Sequence, residues 1–183
     1  MRQMKIFGVI VIITTVTTCG LVKQRSQQNV NPIDWKTFEH RDYIVQYPDS
    51  FELNTSGQMG MSFILLSKLT SPDDIFRENV NLSIQDLGGQ NISLDNYVEM
   101  SENQIKTLVN NGNIIESNRI KKDNSEFQKI IFTGKQGVFE LKFVQYYILK
   151  SEKAYVLTLT TEIEQFDSYK TVGKEIMDSF IIK

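Results

Sequence analysis

Of 183 residues only one is cysteine, one is histidine, one is tryptophan and three are proline. The single cysteine, Cys19, stands near the amino terminus, so the rest of the chain has neither a disulfide nor a thiolate metal site. A single histidine, His40, excludes the imidazole clusters that most zinc sites use. An excess of positive charge is also missing: 20 basic against 22 acidic residues leave a net charge of −2, without the basic footprint of a nucleic-acid binder. The glycine-bearing stretches 56–60 and 134–137 match neither a phosphate-cradling loop nor a dinucleotide fingerprint, and no serine sits in a nucleophile elbow. Asp73, Asp74 and Asp123 have the setting of turn residues, not the spacing of a calcium loop. His40, between Glu39 and Arg41-Asp42, reads as a solvated residue at a strand end or turn. The expectation is a non-enzymatic chain with no catalytic residue, no metal and no cofactor. A serine–lysine pair that meets only in the fold stays open.

The first thirty residues follow a different pattern from the rest. Met1-Arg2-Gln3-Met4-Lys5 carries two cations and no acid, residues 6–13 are almost all aliphatic, and residues 14–20 are mostly small. This is the layout of a secretory signal peptide. Val16-Thr17-Thr18-Cys19 resembles a bacterial lipobox, with Thr18 where glycine, alanine or serine is usual and Val16 where leucine is commoner. That resemblance implies a lipid on Cys19 and cleavage before it. Each buried methylene contributes ~0.8 kcal/mol, so two or three acyl chains hold a protein on a bilayer. The alternatives are simple secretion or an uncleaved anchor from Ile6 to about Val22, which is at the short end of the ~17–25 residues a span needs and holds four threonines. The expected organisation is a signal peptide at 1–18, a lipidated tether at 19–33 and one domain at 34–183. Lys23 and Arg25 in the tether are placed to touch anionic lipid or simply to solvate it.

Within the domain, Tyr43, Val45 and Tyr47 alternate with Ile44 and Gln46 before Pro48-Asp49-Ser50 breaks the run. Met61, Phe63 and Leu65 form a second alternation, and residues 80–85 alternate strictly, predicting a strand with one wet face. Ser93 is a fitting helix N-cap, with Leu94, Tyr97, Val98, Ile105, Leu108 and Val109 on one stripe and Asn110-Asn111-Gly112 as the stop. Strands are predicted at 127–133, 138–149 and 154–160, joined by a turn at 134–137 and by Ser151-Glu152-Lys153. A closing helix over 163–179 carries Phe166, Tyr169, Gly173, Ile176, Met177 and Phe180 on one side. The run 144–149 is apolar on both faces, as expected of a strand that goes under a helix or presents aromatics to a partner. Strands and helices joined by hairpin-length connections predict an α+β domain built on an antiparallel sheet.

These segments together resemble the PsbP-like family, whose fold is shared with the Mog protein and the DcrB-like bacterial lipoproteins. The similarity runs over about residues 41–183. Residues 43–51 (Tyr-Ile-Val-Gln-Tyr-Pro-Asp-Ser-Phe) resemble that group's opening strand, with Phe51 where tryptophan is common. Residues 78–84 resemble its next strand, 93–97 its helix start, and Ile176-Met177-Asp178-Ser179-Phe180 its closing motif. The resemblance implies about six antiparallel strands sandwiched by α-helices, and members that act as accessory subunits, assembly factors or adaptors. The expected function is a non-enzymatic, lipid-anchored accessory or assembly lipoprotein of the bacterial cell envelope, outside the cytoplasm, binding another envelope protein. An immunity-type lipoprotein that masks a toxin is a narrower version. The alternative is a periplasmic carrier of a small ligand, with Tyr47, Phe63, Tyr146 and Tyr147 as candidate lining residues.

Overall fold

The computed structural model describes residues 35–122 and 125–183; Cys19, the signal-like segment, the tether with Lys23 and Arg25, and Asp123 lie outside them. Ten strands and two α-helices follow in chain order: β1 (Trp35–Glu39), β2 (Tyr43–Pro48), β3 (Phe51–Asn54), β4 (Met61–Ser67), β5 (Asn79–Asp86), α1 (Leu94–Leu108), β6 (Asn113–Lys122), β7 (Ser125–Gln136), β8 (Phe139–Lys150), β9 (Lys153–Glu162), α2 (Phe166–Asp178) and β10 (Ile181–Ile182). Seven strands form one sheet in the order β3-β4-β5-β9-β8-β7-β6, antiparallel throughout, and β1-β2-β10 form a second, small sheet. The expected sheet of about six strands is therefore one of seven, with a three-stranded sheet beside it.

Side-chain alternation sends each central strand into two cores. Val144, Tyr146, Tyr155, Leu157 and Leu159 pack with Phe63, Leu65, Val80 and Leu82 under α2 (Tyr169, Val172, Ile176, Met177) and the small sheet (Tyr43, Val45, Tyr47). Ile130, Phe132, Leu141, Phe143, Tyr147 and Val156 face the other way, against Tyr97, Val98 and Ile105 of α1 and against Phe76 and Leu87. The two helices thus lie on opposite faces, which makes the α+β sandwich that the strand–helix order implied. The two-sided apolar run of β8 has the cause expected of it on one face only: α1 packs on β8 there, while on the other face α2 lies beside it, over β9 and β5.

Three local expectations are corrected. The polar side of residues 80–85 is largely dry: Asn81 and Ser83 are buried, as is Asn79 before them, and Gln85 is half-buried. Asn81 lies across from Thr158, and Thr158 from Gln145. The Gln145 side-chain amide donates to Thr158 Oγ1 at 3.0 Å and that of Asn81 to Asn79 Oδ1 at 3.0 Å. A hydrogen-bonded polar row can be buried where unpaired groups cannot, so alternation alone did not reveal which face was wet. The turn expected at 134–137 begins later. β7 runs on to Gln136, and Gly134 lies inside it because a Cβ there would come 2.3 Å from Val109 Cγ1. The tight turn is Gly137-Val138, with Gly137 at φ 57°. Leu108, placed on the buried stripe of α1, is instead exposed at the helix end.

The helix caps are as the residue types dictate. Ser93 Oγ accepts the Asn96 N–H at 3.1 Å, satisfying one of the orphan donors of the first turn. The helix expected at 163–179 opens with a tighter 3-10 turn at Ile163–Gln165 before α2.

Candidate functional site

Seven strands spaced ~4.8 Å apart make a sheet about 29 Å wide, whereas a helix with its side chains covers only ~10 Å. On one face α2 lies over β9 and β5 and next to β2, so among the described residues the flank made by β6, β7 and the outer half of β8 has no second layer. There the surface sinks into a groove of about 700 Å³. Its floor is Ile120 of β6, Phe127 and Ile131 of β7, Val144 and Tyr146 of β8 and Leu159 of β9, and α2 supplies Phe166 and Met177 as a wall. Lys170, Thr171, Lys174, Glu175 and Asp178 run along its rim on α2.

The floor aromatics hold one another. Phe127 and Tyr146 have ring centroids 4.6 Å apart at 36°, the offset geometry that aromatic pairs favour. The Tyr146 hydroxyl donates to Asp178 Oδ1 at 3.3 Å, and Lys174 pairs with the same carboxylate. Burial pushes the Tyr146 phenol up, and the neighbouring Asp178 charge adds to that. Lys129 stands between Phe127 and Ile131 on β7 and pairs with Glu116 of β6 at 3.0 Å. That hydrogen bond holds the Glu116 carboxyl below its ordinary range. Near the groove, Lys142 Nζ sits 3.8 Å from the centre of the Phe166 ring, within cation–π range. The site is an apolar trough with an ion pair in its floor and alternating charge along one lip. Its lining would complement an apolar body carrying a polar or charged group.

Of the four residues considered as lining, only Tyr146 faces this groove. Tyr47 and Phe63 are filled-core residues between the small sheet and the main one. Tyr147 points to the opposite face, where it packs against Tyr97 at 6.0 Å between ring centroids and its hydroxyl donates to Gln145. Adjacent residues on a strand cannot share a face, so Tyr146 and Tyr147 never line one pocket. The remaining groove residues went unread. Ile120 belongs to β6, an edge strand of mixed composition with no clean alternation, and Phe127 and Ile131 were read only as strand positions. The one signal available was the two-sided apolar run of β8.

The other singled-out residues have local roles. His40 is partly exposed, its Nδ1 accepts the Asp42 N–H at 3.2 Å, and its ring stacks on Tyr43 at 4.6 Å. Asp74 accepts both the N–H and the hydroxyl of Thr70, at 3.0 and 2.8 Å, closing a loop. Met59, beside Gly60 in a 3-10 turn, is exposed, whereas Met61 is buried. Among the described residues no group of three or more histidine, cysteine, aspartate or glutamate side chains could hold a metal ion. Nor, among them, is any helix long and apolar enough to cross a membrane.

No family profile matches the chain, and no curated protein does. Its shape is similar to that of solved proteins. Cyanobacterial PsbP from Synechocystis superposes with a TM-score of 0.63 at 14% identity, over 87% of this chain and 98% of that one. A Pseudomonas aeruginosa protein of unknown function gives 0.59 at 12% identity, over 81% and 97%. LpqN of Mycobacterium tuberculosis, described as involved in cell envelope biogenesis, gives 0.57 at 10% identity, over 85% and 92%. At these identities the likeness is one of fold. The seven-stranded sheet with α1 on one face and α2 on the other belongs, by these comparisons, to the PsbP-like fold.

Proposed function

We propose that this chain is a non-catalytic accessory protein of the bacterial cell envelope, held to a membrane through a lipid on Cys19. Its domain takes an apolar segment of an envelope protein into the groove between α2 and β6–β8. The groove is the observation that carries this reading. It is concave, apolar along its floor and open along the length of a helix, which suits an amphipathic segment with side chains to bury. The LpqN likeness supports an envelope setting, since that protein is described as acting in envelope biogenesis.

A second reading draws on the groove's size. A volume of about 700 Å³ falls within the ~300–1,000 Å³ of small-molecule sites, so a carrier would use the same trough. Thr171→Trp separates occupied from irrelevant, because Thr171 is an exposed rim residue and a large side chain there fills the mouth without emptying the core. The test places a photocrosslinker at position 174 on the rim and at position 99 on α1, on the opposite face, in cells making the full chain. Accessory function requires one identified envelope protein joined at 174, absent at 99 and lost with Thr171→Trp. A bound small molecule of defined mass, displaced by the same substitution, establishes the carrier instead. Equal crosslinking from both positions refutes the groove as the site.

A further inference from the structure

Eight large apolar side chains are exposed among the described residues, and six of them gather at one end of the molecule. The pairing register defines that end. Phe139 begins β8 there, Glu162 ends β9 opposite Leu141, and Asn79 begins β5 opposite Thr160. Val138 forms the β7–β8 turn and Ile163 follows β9; Leu69 and Ile75 lie in the connection from β4 to β5; Leu108 ends α1, and Ile115 stands near the start of β6. Val138 and Leu108 are 79% and 75% exposed, far beyond what packing requires. These residues come from five separate segments, so no single element's amphipathicity explains them.

The same end is where the domain begins. Trp35 of β1 pairs with Pro48 of β2, and Pro48 leads through one turn to Phe51, which pairs with Ser67 at this end of β4. At the other end lie Tyr43, Lys150 and Lys153, and the Asp42 backbone carbonyl there accepts the Lys183 N–H at 3.0 Å. Fifteen residues, 20–34, separate Cys19 from Trp35, and their full reach is at most ~58 Å. The 12 residues of β8 span ~40 Å, so the apolar end adjoins the tether's attachment at Trp35 and the other end lies about a domain length further from it. Charge near the apolar end is mixed, with Lys68 and Lys106 against Asp73, Glu140 and Glu164, all exposed.

From these observations we infer that the end bearing Val138, Leu108, Ile163, Leu69, Ile75 and Ile115 docks on the lipid bilayer surface, its apolar side chains dipping into the interface. This rests on the reading that the chain is held on a membrane ahead of Trp35. The anchor keeps that end close to the lipid at high effective concentration, so side chains too few to bind alone suffice. Mixed charge means the contact is apolar and indifferent to salt and to the anionic lipid fraction. Docking this way leaves the groove, on the α2 face of the sheet, open to the side.

The test attaches an environment-sensitive fluorophore to Val138→Cys or to Ile181→Cys, exposed at the opposite end, in the full chain. In membranes of the producing cell, the label at 138 is expected to be blue-shifted and several-fold less quenched by aqueous iodide than that at 181, at low and high salt alike. Added to phosphatidylcholine vesicles, the Cys19→Ala full chain should show the same contrast at higher lipid concentration. Leu108→Asp should raise the lipid needed by up to roughly tenfold, the change that one buried apolar side chain carries. Equal iodide access at both positions overturns the inference. Shielding of 138 in native membranes that never appears on vesicles also overturns it, because the cover is then a protein. The mass of the mature amino terminus, taken on the same samples, reports the lipid on Cys19 separately from docking.

Discussion

At Gly173, α2 lies against Leu159 of β9 with no room for a side chain, and Leu159 is also part of the adjoining groove. A Cβ at Gly173 would stand 2.6 and 2.7 Å from Cδ2 and Cδ1 of Leu159, and 3.1 Å from its Cγ. Carbon atoms in good contact are ~3.5–4.0 Å apart, so α2 or Leu159 would have to shift by about 1 Å. Leu159 is buried and its side chain is part of the groove floor. Overpacking of this kind costs about 1–3 kcal/mol, while replacing glycine by alanine within a helix returns about 1 kcal/mol. Gly173→Ala is therefore expected to lose up to about 2 kcal/mol, measured by urea unfolding with an unchanged slope. Leu159→Ala alone should cost about 2–5 kcal/mol. On that background the clash is gone, and Gly173→Ala should change sign and stabilise by about 1 kcal/mol. A coupling between the two positions of about 1–3 kcal/mol is the quantity to find. If Gly173→Ala stabilises by the same ~1 kcal/mol with Leu159 in place as without it, α2 does not press on β9 and the groove geometry described above is wrong.

The remaining predictions concern the other face and pH. Tyr97 is fully buried and donates to Gln85 Oε1 at 2.7 Å, so Tyr97→Phe should cost about 1 kcal/mol in the same unfolding assay. The Tyr97, Tyr146 and Tyr147 phenols are all pushed above their ordinary value of 10.0, chiefly by burial. Their folded values are raised, so stability is complete below pH 10 and falls as the pH climbs beyond it, where the unfolded chain ionises first. Phenolate absorbance should therefore appear together with loss of far-ultraviolet circular dichroism, and titration of these three in a still-folded chain would contradict the burial described. Glu116 has its folded value lowered from 4.5, first by the Lys129 hydrogen bond. Its contribution is present above pH 4.5 and lost as the pH falls through the folded value, so Glu116→Gln should flatten the acid side of the stability profile. Gly134→Ala should destabilise by about 1–3 kcal/mol, because the added methyl meets Val109 of the α1 terminus at 2.3 Å.

Much of the architecture was legible along the chain because alternation and capping are local. The strands at 43–48, 61–67, 79–86, 139–150 and 153–162 and both helices stand where period-2 and helical patterns put them. The edges were not legible. β1 and β6 are half exposed and β10 has two residues, so they carry little apolar pattern to read. The alternation of residues 80–85 predicts a solvent face where Asn81 and Ser83 are buried, because composition records polarity but not the partner that satisfies it.

By itself the sequence determined the fold class, the order of most elements, the narrow stock of catalytic side chains and a signal-like amino terminus. Those follow from periodicities and residue types that act over a few positions. Only the tertiary structure decided where an apolar surface is left uncovered. The groove exists because a seven-stranded sheet is wider than the helix and small sheet that cover one face of it. Residues from β6, β7, β8, β9 and α2, up to 58 positions apart between Ile120 and Asp178, meet there. The apolar end exists because turns and helix ends from distant segments converge where the strands stop. Both are properties of how layers fail to cover one another, which no local pattern encodes.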